Sequence, residues 1–212
     1  MINSPTPSRP RGRPRAFDRD VALSRAMETF WRLGYEGASI ADLTAAMGIT
    51  PQSLYAAFGS KADLYHEALE RYRETVGAFT ARALAEEPDV VEAFARVLRD
   101  SAREFCRADR PQGCMISTAS LACASENEPI VRHAAGLRSA TLAAFRSRIE
   151  RGIADGDLRA GTDAARLARY LGAIIQGMSV QARDGASAED LAGIAELAIA
   201  ELARHRPDAS GA

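Results

Sequence analysis

The stretch MGITPQSLYAAFGSKADL, residues Met47–Leu64, contains two glycines, and each is soon followed by a hydroxyl residue that can begin a new helix. Gly48 accepts the positive φ that ends one helix, and Thr50 can cap the next. Gly59 and Ser60 repeat this arrangement further along. Two short helices joined by three residues have the form of a helix-turn-helix, whose second helix lies in the major groove of DNA. The stretch therefore predicts contact with a duplex.

The second of these short helices divides into two faces by helical phase. Leu54 and Phe58 are four residues apart and point inward together with Ile49, which leaves an outward face of short or amide-bearing side chains. Such side chains can bond base edges or phosphates, and we expect Gln52 to read a base. The predicted DNA-binding residues, which include two from the N-terminal arm and the cap of the first short helix, are Arg13, Arg15, Ser39, Thr50, Pro51, Gln52, Ser53, Tyr55 and Lys61.

Two basic features support an interaction with a polyanion. Lys61 opens the helix after Ser60, where free backbone N–H groups and the positive end of the helix dipole favour a phosphate. The N-terminal arm carries RGRPR, residues 11–15, which can lie in a narrow minor groove. Up to Lys61 the chain has eight Arg or Lys against five Asp or Glu, and the remainder has nineteen against twenty-three. The positive charge is thus concentrated at the predicted DNA-binding end.

The composition predicts an all-α, cytoplasmic protein. Hydrophobic residues make up 47% of the 212 residues, alanine dominates, and aromatic residues are only 6%. Such a composition favours helices over strands. The three cysteines match neither a zinc motif nor a secreted disulfide framework, and we expect reduced thiols. The longest apolar stretches are shorter than the roughly 18 residues of a membrane span. We expect no membrane association, no metal and no cofactor.

Helix signals along the chain predict about nine helices in two domains. We expect residues 1–14 to be a disordered basic arm, 15–66 a three-helix DNA-binding domain, 67–206 a helical domain for effector binding and dimerisation, and 207–212 a flexible tail. One long helix is predicted from Ser60 to about Ala85 and a further one from about Cys114 to Ser125. The last two are predicted over Asp163–Arg183 and Ser187–Arg204.

Residues 15 to about 67 closely resemble the N-terminal domain of the tetracycline-repressor (TetR) family of bacterial regulators. The resemblance lies in IADLTAAMGI, residues Ile40–Ile49, and above all in SLYAAFGSKADL, residues Ser53–Leu64. It covers about a quarter of the chain. It implies a homodimeric regulator, usually a repressor, that binds a palindromic operator in double-stranded DNA and is released by a small-molecule effector. It also implies that Tyr55 and Lys61 chiefly contact phosphates.

In the second domain the resemblance is weaker, and each expected site is given as a larger set of residues. The last two helices carry broad apolar faces that, as a pair, resemble the dimer bundle of the family, although for any single position monomer core is the preferred interpretation. The expected interface residues are Leu167, Leu171, Ile174, Ile175, Met178, Leu191, Ile194 and Leu197. By analogy, the expected effector residues are Phe79, Phe94, Phe105, Cys114, Met115, Thr118, Phe145, Tyr170 and Gln176. Their scarcity of charge suggests an apolar or weakly polar effector.

Cys114 leaves three interpretations open. It follows a loop, and at a helix N-terminus its pKa would be lowered, so the protein could be a thiol-based sensor repressor responding to electrophiles or oxidants. Alternatively, Cys114 and Cys123 are small buried hydrophobes. A remote possibility is an enzyme with Cys114 as nucleophile and His133 as base. We expect no disulfide between Cys106 and Cys114.

Overall fold

The structure is a computed structural model, described over residues 17–119 and 124–207. Within those residues it contains nine α-helices, one turn of 3-10 helix at Ser125–Asn127, and no strand. The prediction of an all-α protein is confirmed. The helices are α1 (Arg19–Gly37), α2 (Ile40–Met47), α3 (Pro51–Phe58), α4 (Lys61–Glu74), α5 (Ala78–Glu86), α6 (Val90–Phe105), α7 (Glu128–Ala154), α8 (Ala164–Arg183) and α9 (Ala188–Ala203).

The boundaries of α1 are set by local signals. The Asp18 carboxylate accepts the backbone N–H groups of Asp20 and Val21 and so caps α1. Gly34 has a φ of 74° and interrupts α1, after which the helix continues to Gly37. Because these boundaries depend on side chains and glycines next to them in sequence, they can be read without the rest of the fold.

The prediction of a single long helix after Ser60 is wrong, because the helix is interrupted between α4 and α5. Thr75 leaves the helical region, with a φ of −113° and a ψ of −88°. The Gly77 N–H then donates to the carbonyl of Tyr72 at 2.8 Å, and the Tyr72 ring packs against Gly77, where a Cβ would lie 3.1 Å from Cε1. Thr, Val and Gly at 75–77 are weak helix formers, so this packing prevails over helix continuation.

The helix predicted from Cys114 is also absent from the described part of its range. Residues 115–119 form turns, and we refer to them as the turn segment. Residues 120–123, which include Cys123, lie outside the described residues. Gly113, with a φ of 74°, sits against α8, and a Cβ there would be 2.6 Å from the Ser179 carbonyl oxygen. The Cys114 N–H donates to the Ser179 hydroxyl at 2.7 Å. Gly113 and Cys114 therefore pack onto α8 in a conformation that is incompatible with a helix beginning at Cys114.

Two groups of buried side chains form the interior. The first unites α1–α4 with Met115 and Ala119 of the turn segment and with Ile130 and Ala134 of α7. The second unites α5–α9, with Phe94 and Phe145 in edge-to-face contact at 5.2 Å between ring centroids. The turn segment and the start of α7 therefore connect the helix-turn-helix to the rest of the chain. Across the described residues, no helix is both long and apolar enough to cross a bilayer.

Candidate functional site

The turn between α2 and α3 is built from local caps. Gly48 adopts a left-handed conformation, with a φ of 69° and a ψ of 34°. The Thr50 hydroxyl then accepts the Ser53 N–H at 3.2 Å and caps α3. Leu54 and Phe58 are buried against the first core cluster. The orientation of α3 is thus fixed by its apolar side and leaves the opposite side to solvent.

The exposed side of α3 carries the uncharged polar residues expected from helical phase. Thr50, Pro51 and Gln52 are exposed, Ser53 is half-buried, and Tyr55 is 48% exposed. The helix sequence PQSLYAAF contains no acidic residue. A protruding, uncharged helix face of this kind can enter a groove without repelling phosphates.

The remaining predicted DNA contacts differ in their surroundings. Ser39 is exposed, but its hydroxyl donates to the Asp42 carboxylate at 2.5 Å and accepts the Asp42 N–H, so it serves the cap of α2. Lys61 is half-buried, with Nζ 4.5 Å from the centroid of the Tyr35 ring. Arg13 and Arg15 lie outside the described residues.

A cavity of about 260 Å³ lies among α4, α5, α6, α7, α8 and the turn segment. Five of the nine predicted effector residues line it: Phe79, Phe105, Cys114, Phe145 and Gln176. The other four lie elsewhere: Phe94 packs in the second core cluster, Met115 in the first, the Thr118 hydroxyl donates to the Cys114 carbonyl, and Tyr170 is 37% exposed on another surface.

Sequence reasoning missed several residues that line the cavity, among them Tyr72, Arg73, Thr141 and Arg138. Tyr72 lies at the end of α4 because the chain breaks there. Arg138 and Thr141 lie on α7, where polar and apolar residues alternate without a clear face. No sequence signal distinguishes such positions from a solvent-exposed helix surface.

The two described cysteines are both free thiols. The Cys106 thiol donates to the Ala186 carbonyl at 3.4 Å, and burial, with a contribution from Asp190, raises its pKa. Cys114 lines the cavity, and its sulfur accepts the Ser117 N–H at 3.5 Å. Residues 115–119 form turns, so the helix N-terminus expected at Cys114 is absent from the described residues.

Cys114 and His133, the nucleophile and base of the enzyme interpretation, are not assembled into a catalytic pair. The His133 ring lies against His66 of α4, with ring centroids 4.2 Å apart and the rings tilted by 36°, and no described residue hydrogen-bonds Nε2 of either ring. The Cys114 sulfur is instead beside Ser117 and the Tyr72 phenol, whose pKa is raised well above its usual value, chiefly by burial and then by Cys114. Among the described residues, no group of three or more His, Cys, Asp or Glu side chains could hold a metal ion.

The predicted interface residues on α8 and α9 divide between core and surface. Leu167, Leu171, Met178 and Leu191 are buried within the chain itself, and Ile174, Ile175 and Ile194 are half-buried, with Ile175 also lining the cavity. Leu197 is 74% exposed. It shares a surface groove with Tyr170. The outward side of α8 and α9 therefore retains large apolar side chains in contact with solvent.

Comparison with known families connects this geometry to a class of proteins. Residues 22–68 match the family model described as "Bacterial regulatory proteins, tetR family". Residues 87–196, more than half of the chain, match the one described as "Tetracyclin repressor-like, C-terminal domain". The chain belongs to the TetR family. It is therefore a transcriptional regulator, and the interpretation as an enzyme is excluded.

Relatives of this TetR-family chain include repressors and a DNA complex. It is 38% identical to the HTH-type transcriptional repressor ComR of Escherichia coli (strain K12), over 87% of this chain and 89% of that one. Identity to the repressor BdcR of the same organism is 32%, over 90% and 92%. A cysteine mutant of the TetR-family regulator CifR, solved with 26-bp operator DNA, is 44% identical, with a TM-score of 0.87 over 92% of this chain and 100% of that one.

Proposed function

We propose that this TetR-family regulator is a homodimeric repressor that binds a palindromic operator through α2, the turn and α3. The observation that carries the proposal is the division of α3 into a packed apolar side and an exposed, uncharged polar side. The repressor relatives and the operator complex of CifR support it. Gln52 reads a base, whereas Tyr55 and Lys61 contact phosphates.

The proposed domains keep the boundaries expected from sequence. Residues 15–66 bind DNA, with help from the basic arm 1–14, while 67–206 bind the effector and dimerise, and 207–212 form a tail. The two core clusters support a division into two units. The first cluster continues along α4 to Tyr72 and includes side chains from the start of α7, so the two units share an extensive contact.

Dimerisation occurs through the outward side of α8 and α9. Leu197 is the most exposed large hydrophobic residue of the described chain, and Tyr170 adjoins the same groove. Small residues at Ala173 and Gly193 are exposed beside them and allow close approach of a second pair of helices. A two-fold axis there would set two α3 helices about one DNA turn, roughly 34–36 Å, apart, which requires a palindromic operator.

The cavity is the proposed effector site, and α4 connects it to DNA. Tyr72 at the end of α4 lines the cavity, whereas Lys61 at its start belongs to the DNA-binding surface. A ligand that favours a different position of α4 would change the separation of the two α3 helices. Simultaneous binding of both half-sites would then be lost, and with it most of the operator affinity.

A second candidate function is a thiol-based sensor. Cys114 lines the cavity, so a reactive molecule that enters meets its sulfur. The CifR–operator complex was solved with cysteines replaced, and the first two replaced positions are eight residues apart, as Cys106 and Cys114 are. Treatment with N-ethylmaleimide would then release wild-type protein from operator DNA but leave a Cys114→Ser variant bound. Equal release of both proteins would exclude Cys114 as the sensor.

Operator binding is tested by fluorescence anisotropy with the DNA upstream of the protein's own gene. The proposal predicts tight binding that falls steeply as salt is raised from about 50 to 200 mM, because phosphate contacts release counterions. A scrambled duplex of the same length and composition is the control and should bind far more weakly. Equal affinity for both duplexes, or no binding at low salt, would refute the proposal.

A further inference from the structure

We propose that the cavity binds a small apolar carboxylate, and that Arg138 pairs with its carboxylate group. The proposal rests on the effector role proposed for the cavity and specifies the chemical class of the effector. It departs from the apolar or weakly polar effector expected from sequence. The body of such a ligand is suited to a wall rich in aromatic and aliphatic side chains, which include Phe79, Phe105, Phe145, Leu84 and Leu142.

The charge of the cavity wall favours a ligand with a negative group. Among the described residues that line it there are two arginines, Arg73 and Arg138, and no Asp or Glu. Arg73 is more than half exposed and already pairs with Glu70 at 2.6 Å. Arg138 is half-buried and forms no ion pair within the described parts of the chain. Within the described residues, the cavity thus carries one positive charge, that of Arg138, without a carboxylate partner.

The position of Arg138 is fixed by two backbone contacts. Its Nη1 donates to the carbonyl oxygens of Ala119 at 2.8 Å and Ile116 at 3.2 Å. These bonds use one of the two terminal nitrogens of the guanidinium group and leave its other N–H donors available. Burial lowers the pKa of Arg138. A carboxylate that accepts from the remaining donors would supply the missing partner in a fixed, directional geometry.

Other polar groups in the wall can bind the rest of the ligand. The Gln176 amide and the Thr80 hydroxyl line the cavity, and neither side chain forms a hydrogen bond to any described residue. Being uncharged, they do not select for an anion, but they can orient a ligand that carries a hydroxyl or carbonyl group in addition to its carboxylate. Selection for the anion therefore depends on Arg138.

The same arginine connects the ligand to the helix-turn-helix. The carbonyls it holds belong to the turn segment, and Ala119 of that segment packs in the core cluster of α1–α4. A carboxylate bound to the remaining donors of Arg138 shares the guanidinium with these two carbonyls, so ligand binding alters the strength of both backbone bonds. The turn segment can then shift relative to α4, which gives the ligand a route to the DNA-binding surface.

The test measures ligand binding by isothermal titration calorimetry on the full chain without DNA. The probes are 3-phenylpropionate and octanoate, each compared with its uncharged counterpart, 3-phenyl-1-propanol and 1-octanol. A charge-assisted bond should give at least about a tenfold preference for a carboxylate. The preference should disappear in Arg138→Gln and survive in part in Arg138→Lys, which keeps the charge and so distinguishes charge recognition from loss of folding.

Arg132→Gln is the matched control, since Arg132 lies on the same helix, is 70% exposed and pairs only loosely with Glu128. It should keep the full preference. The proposal is overturned if neither carboxylate binds, if the alcohols bind equally well, or if Arg138→Gln retains the preference. Because no DNA is present, such a failure would leave the operator-binding proposal to be judged separately by its own salt-dependent titration.

Discussion

Gln52 and Lys61 both belong to the proposed DNA-binding surface, but their alanine variants should weaken DNA binding in different ways. Gln52 is exposed on α3, and Lys61 is the first residue of α4. Loss of a base-reading amide should cost about 1–3 kcal/mol at one base pair only. Loss of a phosphate contact should weaken binding to every sequence and lower the salt slope by about one.

Anisotropy titrations of Gln52→Ala and Lys61→Ala against the operator, single-base variants and random DNA at several salt concentrations separate the two roles. If both variants changed specific and random binding equally, the division between base reading and phosphate contact would be wrong. Lys61→Arg is a useful companion, because it keeps the charge and should retain most of the salt dependence.

Gly113 provides a test of how the turn segment is held. It has a positive φ, and an added Cβ would meet the Ser179 carbonyl at 2.6 Å and the side chain of Arg183 at 3.0 Å. Gly113→Ala should therefore lower the free energy of unfolding by more than about 1 kcal/mol. Gly136→Ala, in the exposed part of α7 with nothing within 4 Å of its Cβ, should instead raise it by about 0.5–1 kcal/mol. Urea unfolding followed by circular dichroism measures both, and a neutral Gly113→Ala would show that the segment can move away from α8.

At the scale of elements, α4 and α7 meet through His66 and His133. Burial and the neighbouring His133 lower the pKa of His66, and Asp63 opposes them only in part. The unfolded chain therefore binds a proton on His66 at a higher pH than the folded chain does. It follows that the free energy of unfolding decreases as the pH falls through the unfolded pKa of about 6.5 toward the lower folded value.

The prediction is checked with urea unfolding between about pH 7.5 and pH 5. His66→Gln removes the titrating group and should flatten the pH dependence. His205→Gln, at the end of α9 and away from this contact, should leave the wild-type slope unchanged. An identical slope in His66→Gln and the wild type would show that other groups cause the acid sensitivity.

At the scale of the whole molecule, the proposed dimer depends on the exposed side of α9. Leu197→Asp places a charge where a second chain would bury the leucine, and the desolvation cost should convert the dimer to monomer. The variant should also lose most of its operator affinity, since each half-site is then bound alone. Leu33→Asp, at a 46% exposed leucine of α1, is the control for surface substitution and should remain dimeric. Light scattering after size exclusion gives the mass, and a dimeric Leu197→Asp would place the interface elsewhere.

The sequence alone determined the helix-turn-helix. Gly48, Thr50 and Ser60 act on the one or two turns beside them, so their effect depends on neighbours that are adjacent in the chain. The two faces of α3 follow from the helical period for the same reason. Only the tertiary structure decided where α4 ends, that the segment after Gly113 forms turns, and which arginines line the cavity. Each of these depends on groups far apart in sequence, such as Gly113 with Ser179 and Arg138 with Ile116, and their packing energy outweighs the local helix propensity.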